Sequence, residues 1–394
     1  MNQNLSVYAE KINEKKKHYD CIAVYGTGKI GRLVYRFLSE NSIKADTFCV
    51  TRLDTNCEEF EGVKVQAAKD LAKSKTRVMY LIACRKQTKK EIVDYLQVLN
   101  VPGNDVIDLT DLGTVLDGAY FRPVLEITPK IGCSVNCRFC PQALFVKRYF
   151  ANNYNRAQEM SFENFKKCID KTPQNLIVQF MGFVEPFLCK DITKMMRYVH
   201  NSGRDVTLST TLVGLTLEQF KEIENIPFQF VMLHVPDKNN YAHIPMTDEY
   251  FEVLDYVLNI KRPDGSSFVD VANCQCEPHP QIVKRLANRL SVSWNMFDRA
   301  GNLNDDKLPV TVEKYGRLAC VLSENLDYNV LLPDGTVVLC CMDWGLEYNL
   351  GNLLLQSYEE IINSKTLRDL KSAMNSEHGQ ILCRKCADSY CKME

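Results

Sequence analysis

Ile131-Gly132-Cys133-Ser134-Val135-Asn136-Cys137-Arg138-Phe139-Cys140-Pro141 carries three cysteines, with three and then two residues between them. The odd number matters. A structural zinc site or a two-iron cluster takes four protein ligands, whereas three thiolates around a 4Fe-4S cubane leave one iron open to something that is not protein. An open iron is a place for chemistry. The competing readings are a zinc loop and three thiols that are merely buried together.

Immediately before the loop, Val124-Leu125-Glu126-Ile127-Thr128-Pro129 reads as the strand that delivers it. Further strands are expected at Leu176 to Phe180, Asp205 to Ser209, Phe228 to Val235, Phe268 to Cys274 and Leu290 to Met296, with helical stretches between them. The repeated strand-helix pattern predicts an α/β chain whose active residues sit at the C-terminal ends of parallel strands.

The cysteine spacing, with Phe139 just before the last thiol, resembles the signature of the radical S-adenosylmethionine (radical SAM) superfamily. That resemblance implies a partial (β/α)6 barrel and a 4Fe-4S cluster on Cys133, Cys137 and Cys140. It also implies SAM chelated to the open iron and cleaved to a 5'-deoxyadenosyl radical. Phe180-Met181-Gly182-Phe183-Val184-Glu185-Pro186 resembles the family's glycine-glutamate motif, which assigns Gly182 and Glu185 to the methionyl amine; valine stands at 184, where glycine is frequent. Ser209-Thr210-Thr211 takes the position of a ribose-binding strand end. Asp298-Arg299-Ala300-Gly301-Asn302 resembles a turn whose arginine pairs with the SAM carboxylate. Phe139 is assigned to the adenine. Beside these stand the plainer readings: a loop start at Glu185, a polar strand end at Ser209, a surface turn at Arg299, and Phe139 filling the loop's own core.

Toward the C-terminus, Cys320 is followed by fourteen residues, Gly335, four residues and Cys340, and Cys383-Arg384-Lys385-Cys386 comes later. With Asp334-Gly335-Thr336, Cys341, Asp343 and Leu350-Gly351-Asn352-Leu353, this resembles the SPASM and twitch domains of the same superfamily. The resemblance implies a second, closed 4Fe-4S cluster on Cys320, Cys340, Cys383 and Cys386. Cys341 and Cys391 are left over, and tetrahedral zinc fits the same spacing.

The N-terminal stretch has a different character. Cys21-Ile22-Ala23-Val24-Tyr25 reads as a buried strand, and Gly26-Thr27-Gly28-Lys29-Ile30-Gly31 opens a helix. Strands at Ala45 to Val50 and Arg77 to Cys84 complete the expectation of a Rossmann-like parallel sheet ending near Leu112. Gly26, Gly28 and Gly31 match the dinucleotide fingerprint, yet Thr51 and Arg52 stand where an acidic ribose ligand is expected, with Asp54 late. Tight nicotinamide binding is therefore not expected. Another nucleotide or phosphate ligand, or a structural domain, remains open.

The expected division is 1–115, 116–307 and 308–394. At 394 residues, 45% hydrophobic and with a net charge of −1, the chain offers no electrostatic case for nucleic acid. It shows no secretory signal and no membrane-length apolar run, and Lys15-Lys16-Lys17 reads as a solvated helix face. Seventeen cysteines without a signal predict thiols and metal ligands in the cytoplasm.

Two reactions compete. A closed second cluster suits oxidation of a sugar, nucleotide-sugar or aminocyclitol carbon. Epimerisation instead needs a hydrogen donor, for which Cys274 and Cys276 at the end of the fifth barrel strand are the candidates. His234 and Asp237, ending the fourth strand, are candidates for substrate hydroxyls or proton transfer. Peptide modification is the runner-up, and a redox sensor or scaffold is the non-enzymatic reading. The resemblance also implies a reducing donor such as flavodoxin or ferredoxin.

Overall fold

A computed structural model describes residues 5–53, 59–84, 86–117, 122–151, 156–262, 265–286, 290–292, 298–303, 312–323 and 325–391. The chain divides into two compact units, 1–120 with 286–291, and 121–285 with 292–394.

The first unit runs α1 (Ser6–Lys16), β1 (Cys21–Tyr25), α2 (Lys29–Glu40), β2 (Thr47–Val50), β3 (Glu59–Phe60), β4 (Val63–Ala67), α3 (Ala68–Lys73), β5 (Val78–Ile82), α4 (Lys86–Val98), β6 (Val106–Asp108) and α5 (Thr110–Asp117). Its sheet has the order β3-β4-β2-β1-β5-β6, parallel except for the β3-β4 hairpin. The parallel strands therefore follow the order of a doubly wound sheet. Burial explains why both faces are covered. Ile22 and Val24 of β1 face a core with Val34 and Phe37 of α2 and Leu112 of α5, while Ala23 and Tyr25 face Leu71 of α3 and Leu96 of α4. Alternate residues of one strand thus serve two helical layers. A Cβ on Gly31 would lie 2.0 Å from the Gly26 carbonyl oxygen, so glycine is what lets α2 start so close to β1. Gly28 differs, since a Cβ there would meet nothing within 4 Å. The three strands expected from sequence all form; β3, β4 and β6 were not foreseen. Asp54 lies outside the described residues.

The second unit runs β7 (Val124–Ile127), α6 (Gln142–Phe150), α7 (Phe162–Asp170), β8 (Ile177–Phe180), α8 (Ile192–Asn201), β9 (Asp205–Thr210), α9 (Leu217–Ile223), β10 (Phe230–His234), α10 (Asp248–Asn259), β11 (Val271–Cys274), α11 (Pro280–Leu286) and β12 (Leu290–Val292). Then follow β13 (Leu318–Cys320), β14 (Tyr328–Leu331), β15 (Thr336–Val338), β16 (Asn349–Asn352), α12 (Tyr358–Ile362), α13 (Lys365–Met374) and β17 (Ser389–Cys391). The main sheet has the order β12-β11-β10-β9-β8-β7-β14-β15-β16, so the six expected barrel strands appear side by side in chain order. Of the last expected strand, Leu290–Val292 is seen and 293–297 lie outside the described residues.

The boundary expected at 307/308 is not marked by a break in this sheet. β14 joins it parallel to β7, pairing Val330 with Glu126, and the β14-β15 hairpin continues it. β13 and β17 pair separately, bringing Cys320 opposite Ser389. No described helix is long and apolar enough to cross a membrane.

Candidate active site and cluster-binding cavities

The loop after β7 is tied down by its neighbours rather than by its own hydrogen bonds alone. Gln142, opening α6, donates from Nε2 to the Phe183 carbonyl at 2.6 Å and accepts from the Cys133 N–H at 3.4 Å. The Glu185 N–H points at Cys133 Sγ (3.5 Å), and Cys137 Sγ donates to the Ala242 carbonyl (3.1 Å). The Cys137 thiol and then Arg299 hold Cys140 toward its thiolate form, against the effect of burial. Thiolate is the form that binds iron.

Cys133, Cys137, Cys140 and Phe139 line one cavity together with the strand-end residues Gly182, Glu185, Ser209, His234 and Arg299. Most of the sequence-predicted site is therefore brought together. Glu185 is buried, and Thr210 Oγ1 donates to its Oε1 (2.6 Å), while the Thr211 N–H (2.6 Å) and Oγ1 (2.7 Å) donate to its Oε2. Burial raises its pKa, and these donors work against that rise. Thr210 and Thr211 thus fix the carboxylate's orientation, and both line the cavity together with Ser209. Gly182 has a φ of +70°, and a Cβ there would lie 2.2 Å from Thr128 Oγ1. It lets the β8 loop close onto β7. Arg299 and Ala300 both adopt left-handed backbone (φ 52° and 57°), a conformation that costs free energy in non-glycine residues and clusters at functional sites. Arg299 Nε donates to the Phe139 carbonyl at 3.2 Å, which ties the turn to the cysteine loop. His234 is pushed down to about 4 by burial and then by Arg299, so its imidazole is neutral near pH 7.

Other candidates fall outside the cavity. Asp237 accepts from the N–H groups of Asn239, Tyr241 and Ala242 at 2.8 to 3.0 Å, which spends both oxygens on its own loop. Cys274 is fully buried, with its sulfur toward the Pro236 carbonyl at 3.7 Å. Strand alternation is the reason: Asn273 and Gln275 line the cavity, so Cys274 and Cys276 do not. The thiol that does line it, besides those of the loop, is Cys341. Its sequence signals were its place in the SPASM and twitch resemblance and its being left over beside Cys340. Glu126 was also overlooked. It is fully buried on β7, neither oxygen makes a hydrogen bond of good geometry, and burial raises its pKa to about 7 against the pull of Tyr328, Arg299 and Cys341.

A second cavity is lined by Cys320, Cys340, Cys383 and Cys386 among apolar residues such as Leu339 and Met342. The Leu322 N–H points at Cys320 Sγ (3.4 Å) and the Asp388 N–H at Cys386 Sγ (3.3 Å), contacts that favour thiolate. The 383–386 turn is anchored by Arg384, which is 2% exposed and donates to the carbonyls of Lys314, Gly316, Ser376 and Gly379. Asp343 accepts from the Glu347 and Tyr348 N–H groups. Among the described residues, no three His, Cys, Asp or Glu side chains are drawn in to single-ion spacing; each thiol set borders a cavity instead. Both donor sets have the chemistry of iron-sulfur ligands.

The SPASM family of iron-sulfur cluster-binding domains matches residues 320–387. The probable dual-specificity RNA methyltransferase RlmN of Malacoplasma penetrans (strain HF-2) is 25% identical over 215 residues, 45% of this chain and 59% of that protein. RlmN of Streptococcus equi subsp. equi (strain 4047) is 24% identical over 163 residues, 37% of this chain and 44% of that protein. The chain thus spans 59% and 44% of these relatives. Among solved structures, BtrN with AdoMet and 2-DOIA is 13% identical, with 68% of this chain and 93% of that chain covered and a TM-score of 0.46. Streptococcus suis SuiB bound to precursor peptide SuiA is 14% identical, with 76% and 82% covered and a TM-score of 0.44.

Proposed function

We propose that the chain is a radical SAM enzyme whose SPASM-matched segment, residues 320–387, holds a second iron-sulfur cluster, and that it oxidises a carbon of a sugar, nucleotide sugar or aminocyclitol. One observation carries this reading. Cys341 lines the cavity of the three-cysteine loop, and its chain neighbour Cys340 lines the cavity of the four C-terminal cysteines. A single peptide link therefore separates the place where a substrate radical arises from an electron acceptor. When bound, the first cluster and SAM supply the 5'-deoxyadenosyl radical that removes a substrate hydrogen atom, and the second cluster supplies the acceptor for one electron.

The chain's own residues bind and orient. Glu185, held by Thr210 and Thr211, takes the SAM amine; Arg299 takes the SAM carboxylate; Ser209 faces the ribose and Phe139 the adenine. With Glu185 and Arg299 so engaged, neutral His234, Asn273 and Gln275 are left to meet substrate, which supports an uncharged, hydroxyl-rich reacting portion. His234 accepts the hydroxyl proton as the carbonyl forms. A soluble one-electron donor such as flavodoxin or ferredoxin fits this scheme, as do a cytoplasmic site and the division 1–115, 116–307 and 308–394. The proposal is tested by the mass of the turnover product, expected to be lower than the substrate by two hydrogens.

For the first unit we propose a nucleoside diphosphate as ligand, held by the N–H groups of the turn from Gly26 to Gly28 at the start of α2. Thr51 Oγ1, engaged with the Tyr25 hydroxyl at 2.8 Å, stands where a nicotinamide dinucleotide would need a carboxylate. Calorimetric titration of the full chain should detect a nucleoside diphosphate and no tight NAD or NADP. Gly28→Val should weaken that binding by about tenfold or more, with thermal stability unchanged, because Gly28 has an ordinary φ of −91° and open space beside it. Binding unaffected by Gly28→Val would contradict the assignment.

A further inference from the structure

Trp344 follows Cys340 and Cys341 by a few residues, inside the matched SPASM segment, and yet it lines the cavity of the other cysteine set. Its ring is held by two residues from the elements that follow β7 and β8. Phe183 lies 4.7 Å away between centroids at 59°, and Phe145 of α6 lies 6.0 Å away at 81°. Cys140 and Cys341 pack against the same apolar cluster. The indole is 4% exposed, and its Nε1–H has no hydrogen-bond partner among the described residues.

A buried N–H left unpaired costs about 1–3 kcal/mol, and native proteins rarely leave one so. The missing acceptor has to be something the described side chains do not supply. Trp344 lines the cavity that the three thiols border, and an iron-sulfur cluster held there presents negatively charged sulfur. The amine and carboxylate of SAM already have Glu185 and Arg299.

We propose that the indole N–H of Trp344 donates a hydrogen bond to a sulfur of the cluster on Cys133, Cys137 and Cys140, and so raises its reduction potential. An N–H donor stabilises the reduced cluster, which carries one more negative charge, more than the oxidised one. The C-terminal iron-sulfur segment thereby tunes the cluster that it does not itself ligate. Trp344 acts as a positioning residue, through the cluster rather than on substrate.

The inference rests on the cluster assignment, which iron content and the reduced-state electron paramagnetic resonance (EPR) signal report separately. The test is an EPR-monitored redox titration of the reconstituted full chain and of its Trp344→Phe variant. A differential hydrogen bond worth about tenfold in the reduction equilibrium moves the first cluster's midpoint negative by about 59 mV for one electron, while the second cluster's midpoint stays put. Phe145→Leu alters the same aromatic contact but keeps the donor, and should leave both midpoints unchanged. The chain has two tryptophans, so in a Trp294→Phe chain with 15N-labelled indole, pulsed EPR should find one 15N nucleus coupled to the reduced first cluster. That measurement needs no change at Trp344 and stands even if Trp344→Phe folds poorly. An unchanged midpoint with no such coupling would overturn the proposal. So would a loss of SAM affinity at an unchanged midpoint, which would give the donor to SAM. Absence of the first cluster's iron and signal would overturn the cluster assignment itself.

Discussion

Replacing Cys133, Cys137 and Cys140 together by alanine is expected to abolish SAM cleavage and to lower the iron content from about eight to about four per chain. Three thiolates hold one cubane and four hold another, and the two sets line separate cavities. The second set is built by β13, the turn before Asp343 and the Arg384-anchored turn, none of which depends on the loop thiols. The loop itself loses the Cys137 contact to the Ala242 carbonyl and the Glu185 N–H contact to Cys133, each worth about 1 kcal/mol net. The fold should therefore survive. Iron and sulfide analysis with a 5'-deoxyadenosine assay checks both outcomes. Residual SAM cleavage would contradict the assignment of the open-iron site, and zinc in the remaining four-cysteine site would contradict the second cluster.

Alanine at Cys320 or Cys383 is expected to do the reverse. SAM cleavage should persist, because the three-cysteine loop is untouched, while product formation falls by about ten- to a hundredfold. The reason lies in the shared wall between the cavities: without the second cluster, a substrate radical has lost its electron acceptor across Cys340 and Cys341. Cys320 sits at the end of a short strand and Cys383 in a buried turn, so both variants need a check by circular dichroism before the rates are compared. Chromatography of 5'-deoxyadenosine against product gives the uncoupling directly. Full turnover by a chain that has lost the second cluster would remove the oxidative role proposed for it.

Much of this site was legible because ligand chemistry is local in sequence. The three-cysteine spacing, Glu185 after Gly182, and Cys383 with Cys386 are each fixed by a few consecutive residues, and the structure brings them to the expected cavities. Contacts between distant segments were not legible. Cys274 and Cys276 looked like cavity thiols until the register of β11 turned Asn273 and Gln275 inward; a one-residue shift exchanges the faces of a strand. Asp237 resembled a catalytic carboxylate, but its oxygens cap a loop whose shape no spacing announces. Cys341 and Trp344 reach the first cavity because β14 pairs with β7, a parallel contact across some 200 residues of chain. In the first unit, the continuous apolar run of β1 was readable, whereas β4 and β6 are short and were passed over, although Val63 and Val65 alternate with polar residues.

The most direct measurement is the fate of hydrogen when the reconstituted chain turns over a candidate sugar substrate in heavy water. Oxidation predicts one 5'-deoxyadenosine per product, carrying the hydrogen abstracted from substrate. It also predicts a product two hydrogens lighter and no solvent deuterium at the reacting carbon. An isobaric product with deuterium at an inverted carbon, delivered by an exchangeable thiol such as that of Cys341, would contradict the account and make the enzyme an epimerase.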